Sequence, residues 1–107
     1  MTTITRQISP CHECRMSKTL KVIGSKWTML LLHNLFEGNN RFGQLQRSMK
    51  GISPKTLSLR LQELEQEGII RKKVFAEVPL HVEYSLTKKG QTLSEIFRAM
   101  DDWGEKK

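Results

Sequence analysis

The sequence predicts a mainly α-helical domain with one small β-hairpin. Three observations predict it: apolar residues recur at helical spacing from Met16 to Leu64, the period shortens to two after Glu67-Gly68, and helical spacing returns from Leu93 to Trp103. At 107 residues the chain has the size of one domain with a modest core. Repeats, low-complexity tracts and internal linkers are absent, so residues 1–107 are expected to form a single unit, its core at about 14–103 behind a short N-terminal tail.

The elements follow in order. Arg15 to Ile23 carries Met16, Leu20 and Ile23 at helical spacing and stops at Gly24, expected as the C′ residue. Ser25 can cap a second helix, Lys26 to Glu37, which is apolar on most sides and is expected to be central and buried all round, with Trp27 in the core. Gly38-Asn39-Asn40 ends it. A short third helix runs through Phe42, Leu45 and Met49, and Lys50-Gly51-Ile52 turns into a fourth. There Ser53 is a good N-cap, and Pro54 suits the first helical position, where a missing amide donor costs nothing. Counted from that cap, Leu57, Leu61 and Leu64 share one stripe, whereas Lys55, Thr56, Leu59 and Gln62 lie on the other side. Two helices, a glycine-containing turn and a basic second helix make a helix-turn-helix.

Beyond Gly68, Ile70, Lys72, Val74 and Ala76 alternate with Ile69, Arg71, Lys73 and Phe75, and Val82, Tyr84 and Leu86 alternate in a return strand. This is a hairpin with its loop around Val78-Pro79-Leu80-His81. Thr87 is expected to cap a last helix with Leu93, Ile96, Phe97, Met100 and Trp103 along one stripe. The whole is a winged helix-turn-helix.

Charge indicates the partner. Lysine and arginine total 18 against 11 acidic residues, a net +7. Between Arg41 and Lys73 eight basic residues face three acidic ones, a local +5, while the segment after Lys73 comes to −1. The positive field therefore centres on the fourth helix and the strand after it, as a polyanion partner such as double-stranded DNA would require, although a solvated surface carrying solubility charge fits the same numbers. Leu59, a large aliphatic pointing away from the core, would meet a thymine methyl in a major groove. Ser53, Lys55 and Thr56 accompany it, and Arg60 on the flank suits phosphate contact, as do Arg41 and Arg47 on or beside the supporting helix. Lys72, Lys73 and His81 would contact the duplex from the hairpin. The competing reading is a winged helix that binds only protein, with Leu59 as a hydrophobic anchor and the basic face incidental.

Other classes are disfavoured. His12, His33 and His81 are scattered, no glycine-rich phosphate loop appears, and no nucleophile–base pair can be placed, so neither an enzyme nor a cofactor is expected. No apolar run approaches membrane-spanning length and no secretory block opens the chain, so a cytoplasmic protein is expected. Cys11-His12-Glu13-Cys14 offers at most three local ligands without a second pair downstream, which argues against zinc. Cys14, at a helix start beside Arg15 and one turn from Lys18, is a candidate oxidant- or electrophile-sensing thiol, with Cys11 near enough in sequence to resolve it. An inert cytosolic cysteine fits the same residues. The stripe ending at Trp103 is too long for a small core to hide, so a homodimer is expected through Leu93, Ile96, Phe97, Met100 and Trp103 with Met16, Leu20 and Ile23 of the first helix.

From Cys14 to about Trp103 the chain resembles the HxlR-type family of winged-helix bacterial transcriptional regulators. The likeness rests on Cys14, Gly24, Lys26-Trp27, Arg41-Phe42, Leu45, Gly51-Ile52-Ser53, Lys55, Leu57, Arg60-Leu61, Leu64 and Gly68. It continues through Pro79, Val82-Glu83-Tyr84, Leu86-Thr87 and Gly90. The resemblance implies a dimeric DNA-binding regulator, joined through its first and last helices, with the helix from Ser53 in the major groove and a sensing cysteine at position 14. Two residues depart from the family pattern: Arg15 follows Cys14 where proline is usual, and the hairpin tip reads Pro79-Leu80-His81 where Pro-Pro-basic is common.

Overall fold

The computed structural model describes residues 14–107. The order is α1 (Arg15–Ile23), α2 (Lys26–Phe36), α3 (Phe42–Ser48), α4 (Pro54–Gln66), β1 (Ile70–Phe75), β2 (His81–Leu86), α5 (Lys88–Gln91) and α6 (Ser94–Lys106). Three helix starts are set by a hydroxyl that accepts an otherwise orphaned amide: Ser25 Oγ from Thr28 N at 3.0 Å, Ser53 Oγ from Thr56 N at 3.1 Å, and Thr87 Oγ1 from Gly90 N at 3.0 Å. Between α3 and α4 the chain reverses through Gly51 at φ 93°, a left-handed conformation that side-chain-bearing residues rarely adopt.

Leu31, Leu32, Leu45, Leu57, Leu61 and Leu64 are fully buried, so α2, α3 and α4 share one aliphatic core. Ile23, Met49, Ile52, Ile69 and Ile70 extend it to the end of α1 and the base of the hairpin, and Trp27 packs at its margin. Helix α4 thus buries the stripe that its periodicity predicts.

The structure corrects several expectations. Helix α2 is not buried all round: Leu30 is exposed, because only one face meets the other helices. Gly24 is the C-cap of α1 at φ −77°, not a left-handed C′ residue, and its role is steric, since a Cβ there would run into the Leu20 carbonyl oxygen. Ile23 is 4% exposed inside the core of its own fold, which withdraws it from any interface with a partner. Thr87 caps only the four-residue α5. Thr92 N and Leu93 N bond back three residues, to Lys89 O and Gly90 O, and this tighter turn separates α5 from α6 where one continuous helix was expected.

The hairpin is antiparallel, from Ile70 opposite Leu86 to Phe75 opposite His81. His81 is therefore a strand residue and not part of the loop. Beyond Ile70, residues 71–74 are exposed, so the ribbon stands off the core and is held at its base. Tyr84 N donates to Asn40 O at 2.8 Å, and Arg41 forms a bridge with Glu83, which ties β2 to the start of α3. At the other end Thr87 Oγ1 donates to the Gly68 carbonyl at 2.6 Å.

None of the 13 residues of α6 is buried. Phe97 packs on Phe36 at 5.4 Å between ring centroids, while Ile96, Met100 and Trp103 stay exposed, as do Met16 and Leu20 on α1. Among the described residues no helix is long and apolar enough to cross a membrane.

Two glycine replacements separate packing from helix propensity. A Cβ at Gly90 would run into the Ile69 carbonyl oxygen and come within 3.0 Å of Leu86 Cδ2, whereas one at Gly104 meets nothing within 4 Å. Gly90→Ala is expected to destabilise the fold by about 1 to 3 kcal/mol, and Gly104→Ala to be neutral or stabilising by up to about 1 kcal/mol, in urea unfolding. Equal effects of the two would contradict this packing.

Candidate nucleic-acid interface

Burial of Leu57, Leu61 and Leu64 leaves Lys55, Leu59, Gln62 and Gln66 as an exposed ridge along the opposite side of α4. Leu59 is 47% exposed on that ridge, the outward aliphatic anticipated from the sequence. The helix start adds charge, because the first turn holds no acidic residue and Lys55 stands next to the positive end of the helix dipole. Ser53 Oγ and Thr56 Oγ1 lie 3.0 Å apart. One bond uses one of their two hydroxyl protons, so the other is free to donate to an acceptor outside the protein.

Arg60 sits away from the ridge. Its Nη1 pairs with Glu63 Oε1 at 2.9 Å, and its side chain turns toward Lys21, Ser25 and Thr28. The flank of α4 that carries Ser58 and Glu65 faces the hairpin instead, across a 250 Å³ cleft that Lys72 and Tyr84 also line. Burial, with the Glu65 carboxylate as a second cause, pushes the Tyr84 phenol above its usual value of 10.0.

Arg71, Lys72 and Lys73 are exposed along β1. The hairpin tip differs from the expectation. His81 is tied down: its ring stacks on Phe75 at 4.6 Å, its Nδ1 lies 3.5 Å from Glu77 Oε1, and its Nε2 lies 3.3 Å from both Glu83 Oε2 and Arg41 Nη2. The cross-strand pairing with Phe75 is the physical reason, since it draws the ring onto the ribbon and out of solvent. What the tip presents is Val78, fully exposed, and Leu80. Arg41 joins the same network at 3.6 Å from Glu83, with half of its side chain still open, and Arg47 is exposed on α3. Reading the chain residue by residue missed this network, although the i, i+2 spacing of His81 and Glu83 on one strand places both on one face.

Cys14 is the N-cap of α1, half-exposed, with Sγ accepting the Ser17 amide at 3.3 Å. Cys11, its proposed resolving partner, lies outside the described residues, as does His12. Among the described residues no group of three histidine, cysteine or acidic side chains is placed to hold a metal ion.

Comparison with known proteins bears on this arrangement. The model of the HxlR-like helix-turn-helix family matches residues 22–107. YdeP of Bacillus subtilis, an uncharacterized HTH-type transcriptional regulator, is 43% identical over 93 residues, which cover 87% of this chain and 73% of that one. Among solved structures, the redox regulator HypR in its reduced form superposes with a TM-score of 0.82 at 41% identity, covering 87% of this chain and 92% of HypR. Diamide-treated YodB of B. subtilis superposes with a TM-score of 0.72 at 34% identity, covering 90% of this chain and 96% of YodB.

Tyr84 is the chain's one tyrosine, so phenolate absorbance reports the cleft between α4 and the hairpin directly. The titration midpoint is expected above 10.0 in the folded protein, and Glu65→Gln should lower it part of the way. Because the folded value is the higher one, this group's stabilisation is complete below the unfolded midpoint and is lost as pH rises through the folded one. A midpoint at or below the ordinary value would show that the cleft is open to water.

Proposed function

Because the chain belongs to the HxlR-like helix-turn-helix family, we propose that it is a sequence-specific DNA-binding transcriptional regulator that works in the cytoplasm as a homodimer on a near-palindromic operator. The observation that carries this reading is the exposed ridge of α4, with Lys55 outward at the positive end of the helix, Leu59 outward one turn further on, and the other face locked into the core. In a major groove, Leu59 meets a thymine methyl while Lys55 and the free hydroxyl proton of the Ser53–Thr56 pair reach phosphate or base edges. Arg47, Arg71, Lys72 and Lys73 neutralise phosphates on either side. Arg60 and His81, engaged with carboxylates of their own fold, contribute less than the sequence led one to expect.

The dimer follows from α6. A 13-residue helix without a buried residue gains little from its own fold, and an isolated helix of that length is marginal in water. Covering Ile96, Met100 and Trp103, together with Met16 and Leu20, with the same elements of a second copy removes the exposed apolar surface and sets two α4 helices about one DNA turn apart. Cys14 stands at the start of α1, so oxidation or alkylation there changes the packing of an interface helix and, through it, the spacing of the reading helices. The likeness to HypR, solved in reduced and oxidised forms, and to diamide-treated YodB supports a redox-responsive regulator.

Duplex binding is expected to weaken steeply with salt, as counterion release requires. Leu59→Ala should change preference at one or two base pairs by about 1 to 3 kcal/mol each, whereas Lys72→Ala should weaken every sequence alike and flatten the salt slope. Equal loss on all sequences for the Leu59 variant would remove its base-reading role, and a salt-insensitive affinity would favour the protein-binding alternative. For Cys14, DNA affinity of the wild type is expected to change on diamide treatment and that of Cys14→Ser to stay constant. Identical responses of the two would make the thiol structural.

A further inference from the structure

The outward ridge of α4 is distinguished by what its side chains can bond to. Gln62 and Gln66 are exposed on it, one and two turns beyond Leu59. Neither amide makes a hydrogen bond among the described residues, whereas the side chains of Asn34, Asn39 and Gln44 are engaged within the fold. Helix α4 carries one arginine, and it is turned off the ridge: Arg60 Nη1 is bonded to Glu63 Oε1 at 2.9 Å and its Nε is out of contact with solvent. The two carboxylates of the helix lie off the ridge as well, Glu63 on Arg60 and Glu65 on the flank that faces the hairpin. The ridge therefore lacks both the planar cation that reads guanine and the carboxylate that reads cytosine, and Lys55 at its start is its one charge.

What the ridge does offer is an amide, a donor and an acceptor side by side. In a major groove adenine presents the matching pair, the N7 acceptor beside the N6 donor. Guanine presents two acceptors there, thymine an acceptor beside a methyl group, and cytosine a donor. Bidentate bonding to an amide thus selects adenine. Gln62 follows Leu59 by about 4.5 Å along the helix axis, against a base-pair rise of about 3.4 Å, so the two side chains address the same or adjoining base pairs. Gln66 closes the helix, and reading helices enter the groove by their N-terminal part, which leaves Gln62 as the amide within reach.

We infer that Gln62 is a specificity-determining residue, its amide accepting from N6 and donating to N7 of an adenine in, or next to, the base pair whose thymine methyl Leu59 covers. The inference rests on the reading of α4 as the DNA-contacting helix and adds the base that it selects. Its consequence is that each half-site carries adenine–thymine pairs at its centre, recognised by an amide and a methyl contact and not by charge. Discrimination by Gln62 therefore releases no counterion and does not depend on salt, in contrast to the phosphate contacts from β1.

The test takes the duplex that the full chain selects from a random pool and replaces its adenines one at a time by 7-deazaadenine, which deletes the N7 acceptor and leaves base pairing intact. At one position in each half-site, wild-type affinity is expected to fall about three- to tenfold, the worth of one hydrogen bond. The same replacement should cost Gln62→Ala nothing further, and the loss caused by Gln62→Ala should be equal at about 50 and about 200 mM salt. Gln62 is exposed, so the variant is expected to fold, and its urea midpoint checks this. If no 7-deazaadenine weakens the wild type, or if each one weakens Gln62→Ala equally, the inference is overturned while DNA reading by α4 stands. If the chain selects no sequence at all, the reading on which the inference rests falls and the inference with it.

Discussion

The burial of Leu57, Leu61 and Leu64 is the constraint on which the rest of this structure depends. Each leucine removed from water contributes about 1.5 to 3 kcal/mol, so the three together outweigh the Ser53 cap, worth about 1 kcal/mol, in fixing how α4 is rotated. The cap determines where the helix starts, and the leucines determine which way it faces. A slip of one residue would turn the helix by about 100°, exposing the leucines and burying charge. With that rotation set, Lys55, Leu59, Gln62 and Gln66 can only point outward, and the two flanks take opposite duties: Arg60 toward α1 and α2, Ser58 and Glu65 toward the hairpin.

The hairpin depends on α4 and α3 rather than on itself. Two strands without a covering layer are marginal in water, and in this ribbon β1 buries only Ile70, while Tyr84 and Leu86 of β2 pack partly against the core. It is kept in place by bonds at its base: Tyr84 to Asn40, Arg41 to Glu83 and His81, and Thr87 to the Gly68 and Ile69 carbonyls. The same bonds engage Arg41 and His81, two residues that the sequence assigns to DNA contact. Lys72 and Lys73 remain exposed on β1, Lys73 opposite Glu83 in the register with its ammonium 4.9 Å from the Phe75 ring centroid.

Much of the fold could be read from periodicity because α2 and α4 each bury an aliphatic stripe, and because α2, α4 and α5 start at Ser25, Ser53 and Thr87, residues whose hydroxyls leave a local signature. What could not be read depends on contacts between distant segments. Nothing around Ile23 distinguishes a residue buried in its own core from one waiting for a partner. The break at Thr92-Leu93 adjoins the docking of Gly90 against the Ile69 carbonyl, a long-range approach invisible to a helical wheel. Arg60 and His81 were legible as residues in the right neighbourhood, yet the carboxylates that engage them, Glu63 one turn on and Glu77 and Glu83 around the hairpin, decide where their side chains lie. The exposure of Leu59, by contrast, followed from the wheel alone, since a helix whose far side is leucine leaves its near side to solvent.

In the proposed regulator two copies of α4, held in fixed relation by α1 and α6, address two equivalent half-sites. Selection of binding sequences from a random duplex pool tests it most directly. The expected product is a two-fold-symmetric site with half-site centres about 10 base pairs apart, one turn of the double helix. Enrichment of a single unrepeated element, or no enrichment above the starting pool, would contradict it.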